Sequence, residues 1–247
     1  QIDIHTGGIE ASTLWGQHRI SNETHGRLVF TGRATVAKIR ELLALIGHMA
    51  NTPHLHNRER ILQIIKEDKA SRDARLLPSG HAYINTRLRA RYSTLGNLNE
   101  QLGGFTYLQF IRDLAAHADT RWDATHQALT QLHTDVINRA GLHVHVTCSE
   151  DLIHGLRQQM QEFITTIPAQ AVSTAQLPTI ELPRNEALLA TSPVNYVGVS
   201  ASLKALGYTA TGADIVVNRY LSQTYLHEYI REKGGAYGAF SVLDMRA

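Results

Sequence analysis

Apolar residues recur at helical spacing along most of the chain and alternate with polar residues in a few short segments. The helical spacing predicts helices over 34–50, from Asn57 to the turn at 78–80, and over 81–92, 105–114 and 122–139, with another after Ser149. The alternation predicts strands, the clearest over 142–148 and others at 2–4, 9–14, 28–30 and 194–202. Together these segments predict an α+β fold, in which an antiparallel sheet is packed with helices.

The last predicted helix leads into a glycine pair. Thr211 can cap the first turn of this helix, and Asp214, three residues later, can reach back as its capping-box partner. Gly234 and Gly235 are expected to end it, because glycine adopts the left-handed conformation that closes a helix C-terminus without a Cβ clash. The helix is therefore predicted to run from Thr211 to the glycine pair.

Arg231 then lies in the last turn, and Tyr237 lies just after the glycines. Spacing alone leaves two interpretations open. Arg231 could complement the negative end of the helix dipole while Tyr237 is an ordinary strand residue, or the two side chains could converge on a ligand. A zinc motif is excluded: His227-Glu228 begins like H-E-x-x-H, but Arg231 occupies the second histidine position and a guanidinium does not ligate zinc.

The composition narrows the class of protein. With 247 residues and 43% apolar residues, the chain can form one large domain or two smaller ones. A net charge of +2 gives no electrostatic reason to expect nucleic acid or a membrane surface as a partner. No run approaches about 18 apolar residues, so a soluble protein is expected. The single cysteine, Cys148, excludes an internal disulfide, favours a reducing compartment and is expected to be a small buried side chain.

Two kinds of side-chain cluster have ordinary explanations. The pairs His143/His145 and His54/His56 lack a nearby carboxylate or third histidine, so neither predicts a metal site. Arg87, Arg89 and Arg91 predict a basic outer side on the helix over 81–92, which is either solvated or contacts acidic partners.

Four of the six prolines fall between Pro168 and Pro193, separated by threonine, serine, glutamine and alanine. This composition predicts an α+β domain over 1–168, a linker over 169–190 and the beginning of a second α+β domain over 191–247. Both ends of the chain fall within alternating segments, so we expect a piece of a longer polypeptide.

Several motifs together resemble the C-terminal half of pitrilysin-type zinc metallopeptidases, and the presequence-protease subfamily in particular. They are Gly7-Gly8-Ile9, Ser79-Gly80-His81, the stretch 103–108 and, as the most specific, R-x-x-G-G-A-Y-G over 231–238. The resemblance implies mitochondrial-processing-peptidase-like domains, with 1–168 as the third domain and 191–247 as the start of the fourth. In that family a first-domain H-x-x-E-H motif holds the zinc, and this chain has no such motif.

The resemblance also implies roles for the residues at the glycine pair. Arg231 and Tyr237 would stabilise the oxyanion of the scissile carbonyl, and Gly234 and Gly235 would give an extended peptide room to approach the backbone. The parent enzyme would need zinc, whereas this chain would bind none and would be inactive alone. Its partners would be an N-terminal zinc-bearing half of the same polypeptide and an unfolded peptide substrate. The alternatives are a non-catalytic subunit of a two-chain peptidase and a purely structural domain.

Overall fold

The computed structural model describes residues 6–18, 20–21, 23–171 and 178–244. Its chain combines helices with one two-stranded antiparallel sheet, which confirms the predicted α+β class. The strand predicted at 2–4 and part of the predicted linker, 172–177, lie outside the described residues. None of the helices in the described part of the chain is both long and apolar enough to cross a membrane.

The strands are β1 (Ile9–Gln17) and β2 (Thr24–Gly32). The α-helices are α1 (Ile39–Asn51), α2 (Arg58–Leu76), α3 (Gly80–Arg89), α4 (Thr94–Gly103), α5 (Phe105–His117), α6 (Trp122–Val136), α7 (Ile153–Thr166) and α8 (Gly212–Leu221). Short 3-10 turns occur at Val36–Lys38, Arg139–Gly141 and Glu150–Leu152, and a π-helix over Ser222–Lys233 continues α8. The predicted helices are therefore confirmed, and α4 is an additional one.

The contacts between Cα atoms divide the chain into two compact units. The first unit comprises Gln1–Pro78 and Thr106–Pro178, and the second comprises Ser79–Phe105 and Thr179–Ala247. The second unit therefore joins a segment from the middle of the sequence to its C-terminal part. The domain boundaries predicted above rest on proline content and family resemblance, whereas these units rest on contacts between Cα atoms. The predicted boundaries therefore stay a prediction.

In the first unit, the strands pair in a register that places Ile9 opposite Gly32 and Trp15 opposite Gly26. The indole of Trp15 lies over Gly26, where a Cβ atom would overlap the ring. Gly32 similarly lies against Leu42 of α1, so the absence of a side chain lets the helix approach the sheet closely.

The core of the first unit forms where α1, the end of α6 and the end of α7 meet. Ala50, Ile137 and Ile167 are buried together, and Phe30 and Phe163 pack against them. This apolar cluster attaches the helices to strand β2.

The strand predicted over 142–148 is wrong. These residues form no hydrogen-bonded strand, and all of them are exposed. A strand needs a neighbouring backbone, and the sheet within the described residues contains only β1 and β2. Val144 and Val146 instead line an open groove of about 660 Å³ along α7. Cys148 is an exposed free thiol at the same groove, so the expectation that it is buried is also wrong.

In the second unit, residues 194–202 also form no strand, contrary to the prediction. Gly198 lies against Ile84 of α3, and the Tyr92 hydroxyl donates to the carbonyl oxygen of Ser200 at 2.9 Å. This segment is held by helix contacts on one side and lacks a strand partner among the described residues.

The basic outer side predicted for α3 is wrong for Arg87, whose side chain is only 13% exposed. Its guanidinium donates to Glu186 at 2.7 and 2.8 Å and to Glu100 at 2.9 Å. The hydrogen bonding from Arg87 to Glu186 lowers the pKa of the Glu186 carboxyl and raises the pKa of the Arg87 guanidinium. Because Glu100 is 0% exposed, Arg87 neutralises a buried carboxylate. This arginine therefore joins parts of its own unit.

Candidate functional site

The helix that leads to the predicted site begins as the sequence predicts. α8 starts at Gly212, and the Asp214 carboxylate accepts from the backbone N–H of Thr211 at 2.6 Å and from its hydroxyl at 3.0 Å. The Tyr208 hydroxyl donates to the same carboxylate at 2.6 Å. The bond from Tyr208, followed by that from Thr211, lowers the pKa of Asp214. The predicted cap is therefore confirmed, with Tyr208 as an additional donor.

At Ser222 this helix widens into a π-helix that continues to Lys233. A π-helix has i→i+5 hydrogen bonds, and it brings side chains five residues apart together. The Lys233 ammonium lies 2.7 Å from the Glu228 carboxylate, and His227 Nδ1 lies 3.4 Å from Glu232 Oε1. Neither pair is among the sequence-based predictions, although two opposite charge pairs at five-residue spacing are a signal for this winding.

Aromatic rings on the π-helix contact one another and the Lys233 ammonium. The rings of Tyr225 and Tyr229 stack with their centroids 4.8 Å apart, and the Lys233 ammonium lies 4.1 Å from the centroid of the Tyr229 ring. Such a cation–π contact at an exposed site contributes about 0.5–1 kcal/mol. Lys233 is therefore held by a carboxylate and a ring at once.

The glycine pair ends the helix as predicted, and the two glycines act differently. Gly235 adopts the left-handed conformation with φ of 70°. The next backbone N–H, of Ala236, donates to the carbonyl oxygen of Ile230 at 3.1 Å and closes the last turn. Gly234 is constrained by space, since a Cβ atom there would lie 2.7 Å from the same carbonyl oxygen.

Arg231 and Tyr237 lie on either side of this turn. Arg231 is exposed in the last turn of the π-helix, and Tyr237 is 94% exposed beyond the glycines, outside any strand. Within the described residues, neither side chain has an ion pair or a hydrogen bond. The structure thus leaves both donors available and places them near one glycine turn.

Two family models match the chain. The model for the domain associated with peptidase family M16, subfamily C, matches residues 1–114. The model for "PreP C-terminal domain" matches residues 185–247, which include the π-helix and the glycine turn. Together the two matched ranges support a C-terminal fragment of a presequence-protease-like M16 peptidase. This confirms the family that the sequence motifs indicate.

Proteins similar to this chain occur in plants, fungi and bacteria. Presequence protease 1, chloroplastic/mitochondrial, of Arabidopsis thaliana is 27% identical over 97% of this chain and 22% of its own length. Protein HypA of Clostridium perfringens is 24% identical over 97% of this chain and 25% of its own length. The mitochondrial presequence protease of Saccharomyces cerevisiae is 26% identical over 96% of this chain and 25% of its own length. The chain thus spans about a quarter of these relatives.

In two other sequence motifs, a side chain packs directly against a glycine. The ring of Tyr196 lies where a side chain at Gly80 would be, and the Glu100 carboxylate lies where a side chain at Gly104 would be. Both glycines therefore have packing roles within the second unit.

The two histidine pairs do not extend into a larger metal-binding group within the described residues. Across those ranges, no three histidine, cysteine, aspartate or glutamate side chains group closely enough to hold a metal ion. The rings of His54 and His56 contact edge to face with centroids 5.7 Å apart, and His143 and His145 are exposed. That this M16 chain binds no zinc by itself stays a prediction.

The glycine turn gives a prediction about stability. Replacing Gly235 with alanine should lower the free energy of unfolding by about 1–2 kcal/mol, because a side chain is strained in the left-handed conformation. Asparagine at the same position should cost less, since it tolerates that conformation. Urea unfolding of the two variants measures the difference. Gly103→Ala is the matched control in the same unit, because its Cβ atom would meet nothing within 4 Å. Equal stability of Gly235→Ala and Gly103→Ala would contradict the prediction.

Proposed function

We propose that this chain is the C-terminal part of a zinc metalloendopeptidase that degrades unfolded peptides in a closed chamber. Here it supplies part of the chamber wall and an Arg231/Tyr237 pair that stabilises the oxyanion of the scissile carbonyl. The observation that carries the proposal is the availability of these two donors at one glycine turn, within the range matched by the PreP C-terminal domain model. The names of the relatives, presequence proteases, support a peptidase.

The chemistry of the pair follows from its two donor types. Arg231 supplies a permanent positive charge and several N–H donors, which bind the peptide carbonyl and favour negative charge on its oxygen. Tyr237 adds a neutral hydroxyl donor whose hydrogen bond strengthens as that charge develops. Gly234 and Gly235 leave the turn without side chains, so that an extended peptide backbone can approach it.

Zinc would be held by another part of the protein. We propose that an N-terminal half of the same polypeptide holds it. Among the described residues, no three histidine, cysteine, aspartate or glutamate side chains group closely enough to hold a metal ion. Zinc supplies an activated water molecule in such peptidases. The chain's own contribution is to bind the peptide and stabilise charge on its carbonyl oxygen.

We further propose that the chain contains one pitrilysin-like domain and the start of a second. Residues 1–168 would form the third domain and 191–247 the start of the fourth, joined by the linker 169–190. The two family models fall on either side of most of this linker, which supports the division. We propose a reducing compartment, either the cytoplasm or an organelle matrix; the relatives include a chloroplastic/mitochondrial protease and a bacterial protein.

Metal removal tests the proposal. The longer protein that contains this chain should cleave an unstructured fluorogenic peptide, lose that activity with a chelator and regain it with added zinc. The chain alone should hold no stoichiometric zinc after dialysis and should cleave no peptide. One tightly bound zinc ion per isolated chain, or chelator-resistant cleavage, would contradict the proposal. Cleavage that requires a separate zinc-bearing polypeptide would favour the two-chain alternative.

A further inference from the structure

We infer that Lys233 and His227 are positioning residues that keep Arg231 free for substrate, because the π-helix pairs them with the two carboxylates that are nearest to Arg231 in the sequence. The inference rests on the proposed function of Arg231 and adds the means by which its guanidinium stays available. Glu228 and Glu232 are the carboxylates concerned.

The distances show how the charges are distributed. Glu228 is bound by Lys233 at 2.7 Å, and Glu232 lies 3.4 Å from His227. Each pair joins residues five apart. Of the three basic side chains in this segment, Arg231 is the one that has no carboxylate within ion-pair distance among the described residues.

An α-helical winding would pair the same residues differently. In an α-helix, side chains three and four residues apart are neighbours, and those five apart lie on different faces. Glu228 would then meet Arg231 at i+3. Arg231 would be engaged by a carboxylate of its own helix. The wider π turn rotates Arg231 away from Glu228 and brings Lys233 to it.

The Lys233–Glu228 pair is the better one to test. Lysine carries its charge at neutral pH, whereas His227 pairs with Glu232 electrostatically only when it is protonated. The side chains of Lys233 and Glu228 are 58% and 51% exposed, so solvent weakens their attraction. Loss of an exposed ion pair changes an equilibrium about two- to fivefold, which sets the expected effect.

The test compares Lys233→Gln, Glu228→Gln and the double variant. Lys233→Gln removes the ion pair that favours π winding, so α winding should become more populated and bring Glu228 to Arg231. Proton exchange at Arg231 Nε, followed by NMR of the 15N-arginine-labelled chain, should then slow about two- to fivefold. The kcat/KM of the longer protein for an unstructured peptide should fall by a similar factor. Glu228→Gln should change neither, and the double variant should regain both values because the competing carboxylate is gone.

Two controls separate this effect from a general loss of charge or structure. Lys204→Gln removes the same charge from an exposed site in the same unit and should leave exchange and kcat/KM unchanged. High salt should restore kcat/KM of Lys233→Gln, because salt screens an exposed pair and does not repair a damaged fold.

The possible outcomes are distinguishable. Unchanged Arg231 exchange in Lys233→Gln overturns the inference, as does an equal loss of kcat/KM in the single and double variants. Normal turnover of Arg231→Ala would instead overturn the proposed function of Arg231. In that case the exchange measurement still decides whether Lys233 keeps the guanidinium free.

Discussion

Replacing Tyr237 with phenylalanine in the longer protein should lower turnover by about 100- to 1000-fold, the usual effect of losing one oxyanion donor. The hydroxyl acts mainly in the transition state, so the Michaelis constant should change little. Tyr237 is 94% exposed and its hydroxyl has no partner within the described residues, so the substitution should leave the melting temperature unchanged. Turnover, Michaelis constant and melting temperature together measure the effect.

Tyr220→Phe is a matched control, because Tyr220 is an exposed tyrosine on α8 that leads to the same turn. It should keep full turnover. Near-normal turnover by well-folded Tyr237→Phe protein would remove Tyr237 from the mechanism.

Arg231→Ala belongs to the same prediction and should lower turnover at least as much. Part of its loss should appear as a higher Michaelis constant, since the guanidinium also binds the peptide carbonyl before the reaction. Arg219→Ala removes an exposed arginine from α8 and serves as the control. A purely structural role predicts the reverse pattern, in which melting temperature falls and turnover is kept by the protein that stays folded.

The largest effect on stability is expected at Arg87. Replacing it with methionine should lower the free energy of unfolding by about 3–5 kcal/mol, because it removes the arginine that neutralises the buried Glu100 carboxylate. Methionine keeps much of the side-chain volume, so the loss reports mainly on charge and hydrogen bonds. Arg87 also bonds Glu186 at 2.7 and 2.8 Å, which adds to the loss. A fall in melting temperature of roughly 10 °C corresponds to this change.

Two further variants test the cause of that loss. Arg60→Met breaks an ion pair whose side chains are both more than half exposed, so it should cost no more than about 1 kcal/mol. Adding Glu100→Met to Arg87→Met should recover much of the stability, because an apolar pair can replace a buried ion pair. A loss below about 1 kcal/mol in Arg87→Met, by urea unfolding, would show that the network contributes little.

The elements that the sequence predicted correctly depend on neighbours a few residues away. Asn57 accepts from the backbone N–H of Arg60 at 3.1 Å as the predicted cap of α2, and Thr211 and Asp214 cap α8. Ser149, in contrast, makes no capping bond through its side chain. The end of the last helix at the glycine pair was likewise predictable, since glycine adopts the positive φ of Gly235 without strain. The motif over 231–238 indicated the family that the comparisons confirm.

What the sequence could not determine involves partners far away along the chain. Alternation over 142–148 predicted a strand, yet a strand also needs a neighbouring backbone, which the described residues do not provide. Arg87 pairs with Glu186, which lies 99 residues away in the sequence. The spacing of the arginines on their helix therefore predicted a basic outer side, whereas the structure has an internal ion pair at Arg87.

At the candidate site, too, the sequence determined some features and the tertiary structure determined others. The sequence alone determined which residues flank the glycine turn, because Arg231, Gly235 and Tyr237 lie within one short segment whose local conformation they specify. Only the tertiary structure decided that the helix is π-helical there, since α and π winding differ by which carbonyl each N–H selects. That choice pairs Lys233 with Glu228 and leaves Arg231 available. The five-residue spacing of the two opposite charge pairs was its signal in the sequence, but this spacing does not by itself select π over α winding.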